Sequence, residues 1–282
     1  MNVISIQSHV AYGHVGNAVA VFALQRLGIE VWPVHSVQFS NHTGYPDWQG
    51  QVFEAAQIAR IIDGLEARGA LARCDALLTG YIGDPALGAV ILDAAARIRE
   101  AKPGAIWACD PVMGDSGKGL FVREGVSAFL RERALPAADI LTPNLFELEI
   151  LSGAKLETPN DIRDAAERLL GQGPRVVLVT SLASESDTAG EIQMLAVTAG
   201  GAWRIATPRL PFAANGAGDA VAALFLGFYL RTRSLPEALG SAASAIFEIL
   251  QTTLEADESE LQIVAAQDRL ESPRRRFQAE PL

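Results

Sequence analysis

Residues Val3–Val37 read VISIQSHVAYGHVGNAVAVFALQRLGIEVWPVHSV, and this stretch decides the fold class. Val3–Ile6 is a short apolar run rich in β-branched residues, which predicts a buried strand. A polar loop with two glycines follows. Asn17–Leu27 then carries apolar residues at helical spacing, and Gly28 stands where a helix C-cap belongs. Ile29–Val37 is a second strand, with Pro33 marking it as irregular or as an edge. Strand, crossover helix and strand make a βαβ unit, and such units build parallel sheets.

The alternation continues along the chain. Ala76–Leu78, Ala105–Cys109, Ile140–Leu141 and Val176–Val179 read as strands. Phe53–Arg68, Pro85–Lys102, Arg123–Arg133, Asn144–Leu151 and Pro159–Leu170 read as helices. Ile192–Val197 and Ala202–Ile205 form a hairpin around Ala199-Gly200-Gly201. Three helices close the chain: Ala217–Arg231, Pro236–Thr252 and Ser259–Leu270. The expected fold is α/β, a mainly parallel central sheet with helices on both faces. No linker and no internal repeat divides it, so one domain over 1–282 is expected, with 272–282 as an irregular tail.

Composition excludes several classes. With 49% apolar and 20% charged residues over 282 positions, the chain can bury a sizeable core. Its net charge of −10 repels phosphate backbones and anionic lipid, so neither nucleic acid nor membrane is an expected partner. Cys74 and Cys109 form no CxxC, which speaks against a disulfide framework or a structural zinc. The N-terminus lacks the pattern of a secretory signal, and the longest apolar run, Ala220–Leu230, is too short to span a bilayer. A cytoplasmic protein is expected.

In parallel sheets ligands gather beyond the carboxyl ends of the strands. Polar residues follow the predicted strands directly at Gln7-Ser8-His9, Gly80-Tyr81, Asp110 and Thr142-Pro143-Asn144. The sharpest pattern is Asn215-Gly216-Ala217-Gly218-Asp219, run straight into an apolar helix. Two glycines let the backbone turn so that Gly216, Ala217 and Gly218 present their N–H groups, and the helix adds its positive end. Asp219 in the first turn can accept a proton from a hydroxyl nucleophile. In Asp110-Pro111-Val112-Met113-Gly114-Asp115 two carboxylates suit a hard cation such as Mg2+ and its waters. In Thr142-Pro143-Asn144-Leu145-Phe146-Glu147, Asn144 caps a helix and Glu147 sits at N3. The functional reading gives Glu147 to a metal-bound water and Asn144 to a phosphate. Taken singly, each pattern is also an ordinary turn or cap. His9, His14, His35 and His42 show no helical pairing, so a histidine metal site is not expected.

The order of the segments carries more than any one of them. SHVAYGHVGN, VQFSNHTGY, GYIGD, CDPVMGD, TPNLFELEIL and NGAGDA follow one another, and LQIVAAQDRLESP comes last. Over Val3 to about Pro273 the chain resembles the ribokinase-like superfamily, and more closely the shorter bacterial pyridoxal kinases. The resemblance implies a three-layer sandwich. It implies transfer of the ATP γ-phosphoryl group to the 5′-hydroxymethyl of pyridoxal, with Mg2+ accompanying ATP, an allowance for a monovalent cation (K+), and a homodimer. By resemblance, Ser8 bonds the pyridine ring and Thr43 with Gly44 contacts its polar substituents. Tyr81 packs on the ring face, with Val10 and Phe39 as apolar walls. Asp219 is the base, and the Gly216–Gly218 amides form the anion hole. Asp110, Thr142 and Glu147 hold the Mg-nucleotide and its waters, with Asp115 beside the metal. Thr180 lies near the phosphates, and Thr207, Pro208, Arg209 and Leu210 line the adenine side.

Three departures stand against the resemblance. Thr180 occupies a position where the bacterial members often carry lysine, with Arg209 as the replacement for its charge. The stretch between Pro208 and Gly216 is short, and the glycine motif reads GAGD, nearer the broad sugar-kinase form. These departures bear on nucleotide binding. They keep open a non-catalytic vitamer carrier and a related kinase acting on hydroxymethylpyrimidine or a sugar.

Overall fold

The computed structural model describes residues 1–182, 190–212 and 214–282. Its strands are β1 (Asn2–Val10), β2 (Glu30–Phe39), β3 (Gly50–Val52), β4 (Ala76–Thr79), β5 (Ile106–Cys109), β6 (Gly114–Asp115), β7 (Gly119–Leu120), β8 (Ile140–Leu141), β9 (Val176–Leu182), β10 (Glu191–Thr198), β11 (Gly201–Pro208) and β12 (Glu280–Pro281). Its α-helices are α1 (Asn17–Arg26), α2 (Ala55–Ala67), α3 (Leu87–Ala101), α4 (Val126–Phe129), α5 (Leu145–Ser152), α6 (Pro159–Leu170), α7 (Ala217–Thr232) and α8 (Leu235–Glu255).

The main sheet runs β12-β11-β10-β9-β8-β5-β4-β1-β2-β3, and β6 with β7 forms a separate flap. From β2 to β9 every pairing is parallel; the pairings beyond, at both edges, are antiparallel. Side chains on the parallel strands alternate between two cores, as the two-residue period of a strand requires. Val3, Leu78, Ala108, Ile140, Val176 and Leu178 join the layer of α1, α7 and α8. Ile4, Leu77, Trp107, Leu141, Val177 and Val179 join the layer of α2, α3, α5 and α6. The expected sheet with helices on both faces is present as three layers, with the central strands β4, β5 and β8 buried on both sides.

Several boundaries differ from the sequence reading. β1 does not stop at Ile6 but runs to Val10, past a register shift at Gln7/Ser8, because Ser8–Val10 pair with Val37–Phe39 of β2. Ser8 therefore projects from a strand, not from a loop. Pro33 is tolerated because β3 covers β2 only at Val37–Phe39 and leaves the rest of that side open. The expected helix Arg123–Arg133 begins later, after Gly125 at φ 90°, and passes into a π turn over Leu130–Ala134. The expected helix Ser259–Leu270 is mostly irregular, with one 3-10 turn at Gln267–Arg269. There the Thr253 hydroxyl accepts from the Gln262 N–H, and Leu261 and Ile263 are buried while Gln262 and Val264 are not, an extended alternation. The tail is irregular but docked. Glu248 of α8 accepts from the Arg274 and Arg275 N–H groups, and β12 adds to the sheet edge beside Trp203 and Arg204.

Candidate active site

The parallel strands end at one cavity of about 740 Å3. Every site residue expected from the sequence lines it, from Ser8 on β1 to Asp219 on α7. The topology explains the convergence: β1, β4, β5, β8 and β9 lie side by side and point the same way, so their carboxyl ends share one rim.

α7 starts at that rim. Its N-cap, Gly216, has φ 84°, and a Cβ there would collide with the His14 carbonyl oxygen, so only glycine fits. No side chain caps this end. The Ala217, Gly218 and Asp219 N–H groups precede the first intrahelical bond, Ala220 N–H to Gly216 O at 2.9 Å. Asp219 receives one hydrogen bond, from the Gly16 N–H to Oδ2 at 2.9 Å. Burial pushes its pKa up to about 6, and the Gly16 bond opposes that rise.

Asp110 and Glu147 line the same cavity. Asp110 follows β5 and accepts from the Thr142 hydroxyl at 2.9 Å. Its pKa is held well above the usual carboxylate range, first by burial and then by the charges of Glu147 and Asp219. Glu147 opens α5 in a reciprocal cap. The Asn144 N–H donates to Glu147 Oε2, and the Glu147 N–H donates to Asn144 Oδ1, each at 2.9 Å. The Met113 N–H donates to Oε1 at 3.0 Å. Burial pushes Glu147 up to about 7 against the pull of those backbone bonds. Asn144 donates one amide N–H to the Gly114 carbonyl at 2.9 Å and lines the cavity, so its side chain caps α5 and braces the flap while its second N–H stays available. Asp115 is exposed in the flap and accepts from the Gly117 N–H at 3.3 Å.

Among the described residues, no three His, Cys, Asp or Glu side chains cluster closely enough to hold a metal ion by themselves. Two buried carboxylates that raise their neighbours' proton affinity still fit a divalent cation bound through waters and phosphate oxygens. Of the charged residues lining the cavity, only Lys118 on the flap and Arg209 are basic. Thr180 is buried, and its N–H donates to the Pro143 carbonyl at 2.9 Å. Residue 213, in the short stretch before Gly216, lies outside the described residues.

Ser8, Val10, Phe39 and Tyr81, the residues expected around the ring, make a small half-apolar wall of the cavity. Trp48 backs it, with its ring centroid 4.5 Å from that of Phe39. Thr43 and Gly44 are exposed on the loop that closes this side. Sequence reasoning assigned no role to His42, Lys118, Phe212 or Phe247, which also line the cavity. His42 stood in a quoted segment; the two phenylalanines gave no signal beyond ordinary core residues.

A parallel sheet covered on both faces, with a carboxylate in the first turn of a long uncapped helix facing acidic residues across one cleft, is the architecture of a ribokinase-like small-molecule kinase. The family model described as phosphomethylpyrimidine kinase matches residues 51–263. Its match leaves out Ser8, Thr43 and the rest of the N-terminal ring wall. Over the whole length, the chain is 54% identical to a pyridoxal kinase PdxY of Rubrobacter xylanophilus, covering 98% of this chain and 96% of that one. It is 49% identical to a pyridoxal kinase PdxY of Corynebacterium diphtheriae, with both chains fully covered. The structure of pyridoxal kinase from Leishmania donovani in complex with ADP and pyridoxamine superposes with a TM-score of 0.92 at 32% identity, covering 100% and 99% of the two chains. The chain belongs to the pyridoxal kinase family.

Proposed function

We propose that this chain phosphorylates the 5′-hydroxymethyl group of pyridoxal with ATP, giving pyridoxal 5′-phosphate and ADP. The observation that carries the reading is the meeting of Asp219 and the uncapped N-terminal amides of α7 with the wall formed by Ser8 and Tyr81 in one cavity. In this reading the 5′-hydroxyl oxygen forms a bond to the γ-phosphorus while the bond from that phosphorus to the ADP oxygen breaks. The hydroxyl proton passes to Asp219. Charge growing on the transferred group falls on the α7 N-terminus, whose amides are already in place. Ser8 and Tyr81 orient the ring, so that much of the rate comes from positioning.

Mg2+ carried with ATP supplies charge neutralisation between the phosphates, and Asp110 and Glu147 would hold it through waters, with Asp115 at the edge. Thr142 keeps the Asp110 carboxylate aimed. Thr180, Arg209 and the Thr207–Leu210 strand end form the nucleotide side. A K+ requirement, a homodimer and a cytoplasmic location belong to the same proposal. Light scattering at twice the chain mass of 30.0 kDa would support the dimer.

Among the described residues, no helix is long and apolar enough to cross a membrane. The formed base and anion hole favour an enzyme over a vitamer carrier. The test is ADP release from MgATP, with and without pyridoxal. Turnover that depends on pyridoxal supports the proposal. Tight pyridoxal binding without turnover supports the carrier, and a preference for hydroxymethylpyrimidine or a sugar supports the related kinases.

A further inference from the structure

Glu260 lies in the segment after α8, where a helix was expected, and it is 5% exposed. It makes no ion pair among the described residues. Its carboxylate instead joins two neighbouring loops, the one after β1 and the one after β2. Oε1 accepts from the Tyr45 hydroxyl at 2.7 Å, and Oε2 accepts from the His14 N–H at 3.3 Å. Gly13 packs so closely on this carboxylate that a Cβ would collide with it. The backbone of Glu260 also bridges to Asn215, the residue before the Gly216 cap.

Each arm ends on a part of the reaction. Tyr45 closes the loop that carries Thr43 and Gly44, on the ring side of the cavity. The His14 arm ends on the base: the His14 carbonyl packs against Gly216, and two residues on, Gly16 donates to Asp219. The loop between them has little stiffness of its own, since Gly13 and Gly16 adopt φ 92° and φ 55°. Backbone bonds from Ala11 and Tyr12 to Phe39 and Ser40 hold its start, and the Glu260 carboxylate holds it at His14.

We propose that Glu260 is a positioning residue for phosphoryl transfer, one carboxylate that ties the closure of the ring-binding loop to the placement of Asp219 and Gly216. The inference rests on the kinase reading above and adds the element that makes ring binding and base placement a single event. It divides the two arms by kinetic constant. The Tyr45 arm acts on vitamer binding, and the His14 arm acts on the chemical step.

Steady-state kinetics of the intact protein separate them, with pyridoxal binding measured in parallel by calorimetry without ATP. Tyr45→Phe keeps the His14 arm. Its KM and Kd for pyridoxal should rise about three- to tenfold, with kcat within about twofold of the unaltered protein. Glu260→Ala removes both arms and should also lower kcat by about tenfold or more. Glu260→Gln should recover most of both constants, because its amide oxygen can accept from the His14 N–H while its NH2 donates to the Tyr45 oxygen. A merely structural residue would lower the amount of active protein and leave KM alone. Unchanged KM and Kd in Tyr45→Phe overturn the proposal even if Glu260→Ala fails to fold. So does a folded Glu260→Ala with unaltered kcat. Absence of pyridoxal-dependent turnover in the unaltered protein would instead reject the kinase reading itself.

Discussion

Asp219 and Glu147 face the same cavity from the first turns of two helices, and burial raises the proton affinity of both. They differ in what else holds them. Glu147 has both oxygens engaged by backbone N–H groups, from Met113 and Asn144. Asp219 has one, from Gly16, and keeps the remaining lone pairs open to the cleft. A carboxylate tethered through both oxygens is a strut held in one orientation; one with a single tether keeps more of its lone pairs open to take a proton. The same residue chemistry at the same kind of helix end thus yields two functions, decided by how many backbone donors converge on it.

The sharpest way to break this contrast is Asp219→Asn. We expect kcat to fall roughly 10²- to 10⁴-fold with little change in pyridoxal Kd, since an amide cannot serve as base. The unaltered enzyme should lose kcat/KM as pH falls through about 6, where Asp219 takes up a proton. A carboxyl whose folded pKa lies above its unfolded value makes folding less favourable as pH rises through that interval, from about 4 to about 6. The Asn variant should therefore melt at a higher temperature than the parent at pH 8, although it is less active.

Glu147→Gln should move stability the other way. Its NH2 must oppose one of two buried backbone N–H donors, which costs about 1–3 kcal/mol. A thermal scan should show Tm lower by roughly 2–10 °C, and the KM for MgATP should rise. If Asp219→Asn and Glu147→Gln shift Tm in the same direction, the distinction between strut and base is wrong.

Smaller effects sharpen the division between ring side and nucleotide side. Ser8→Ala should raise the Kd for pyridoxal about three- to tenfold, as loss of one hydrogen bond does, and leave ATP binding alone. Calorimetry with each ligand separately reads this; equal affinities would remove Ser8 from the ring site. Thr180→Lys should lower the KM for ATP about two- to fivefold, the smallest change, by adding a cation near three carboxylates. An unchanged or higher KM would mean that Arg209 or Lys118 already meets that charge.

Much of this was legible in the sequence, for reasons that can be named. The central parallel strands are buried on both faces, so Ala76–Leu78 and Val176–Val179 read as unbroken apolar runs. Motifs at strand ends need only the strand direction to be placed together, and so residues from Ser8 to Asp219 meet in one cavity. The Asn144–Glu147 cap was readable because capping is local; the amide bond from Asn144 to the Gly114 carbonyl was not, since Gly114 reaches it from β6. Glu260 was hidden for the opposite reason. Leu261, Ala265 and Ala266 mimic a helical stripe, whereas the segment is held by Thr253, His14 and Tyr45, partners 9 to 246 residues away. Where partners lie that far off, period and propensity carry no information about them.

The packing of Trp48 on Phe39 has an optical consequence. Trp107 is 1% exposed, with its indole N–H tied to the Thr79 hydroxyl, so its emission should be blue-shifted and indifferent to what enters the cleft. Trp48 is 43% exposed and leans on a side chain that forms the cleft wall. One indole therefore serves as an internal standard and another as a reporter. Arrival of a ring beside Phe39 can then be followed by tryptophan fluorescence, without a label.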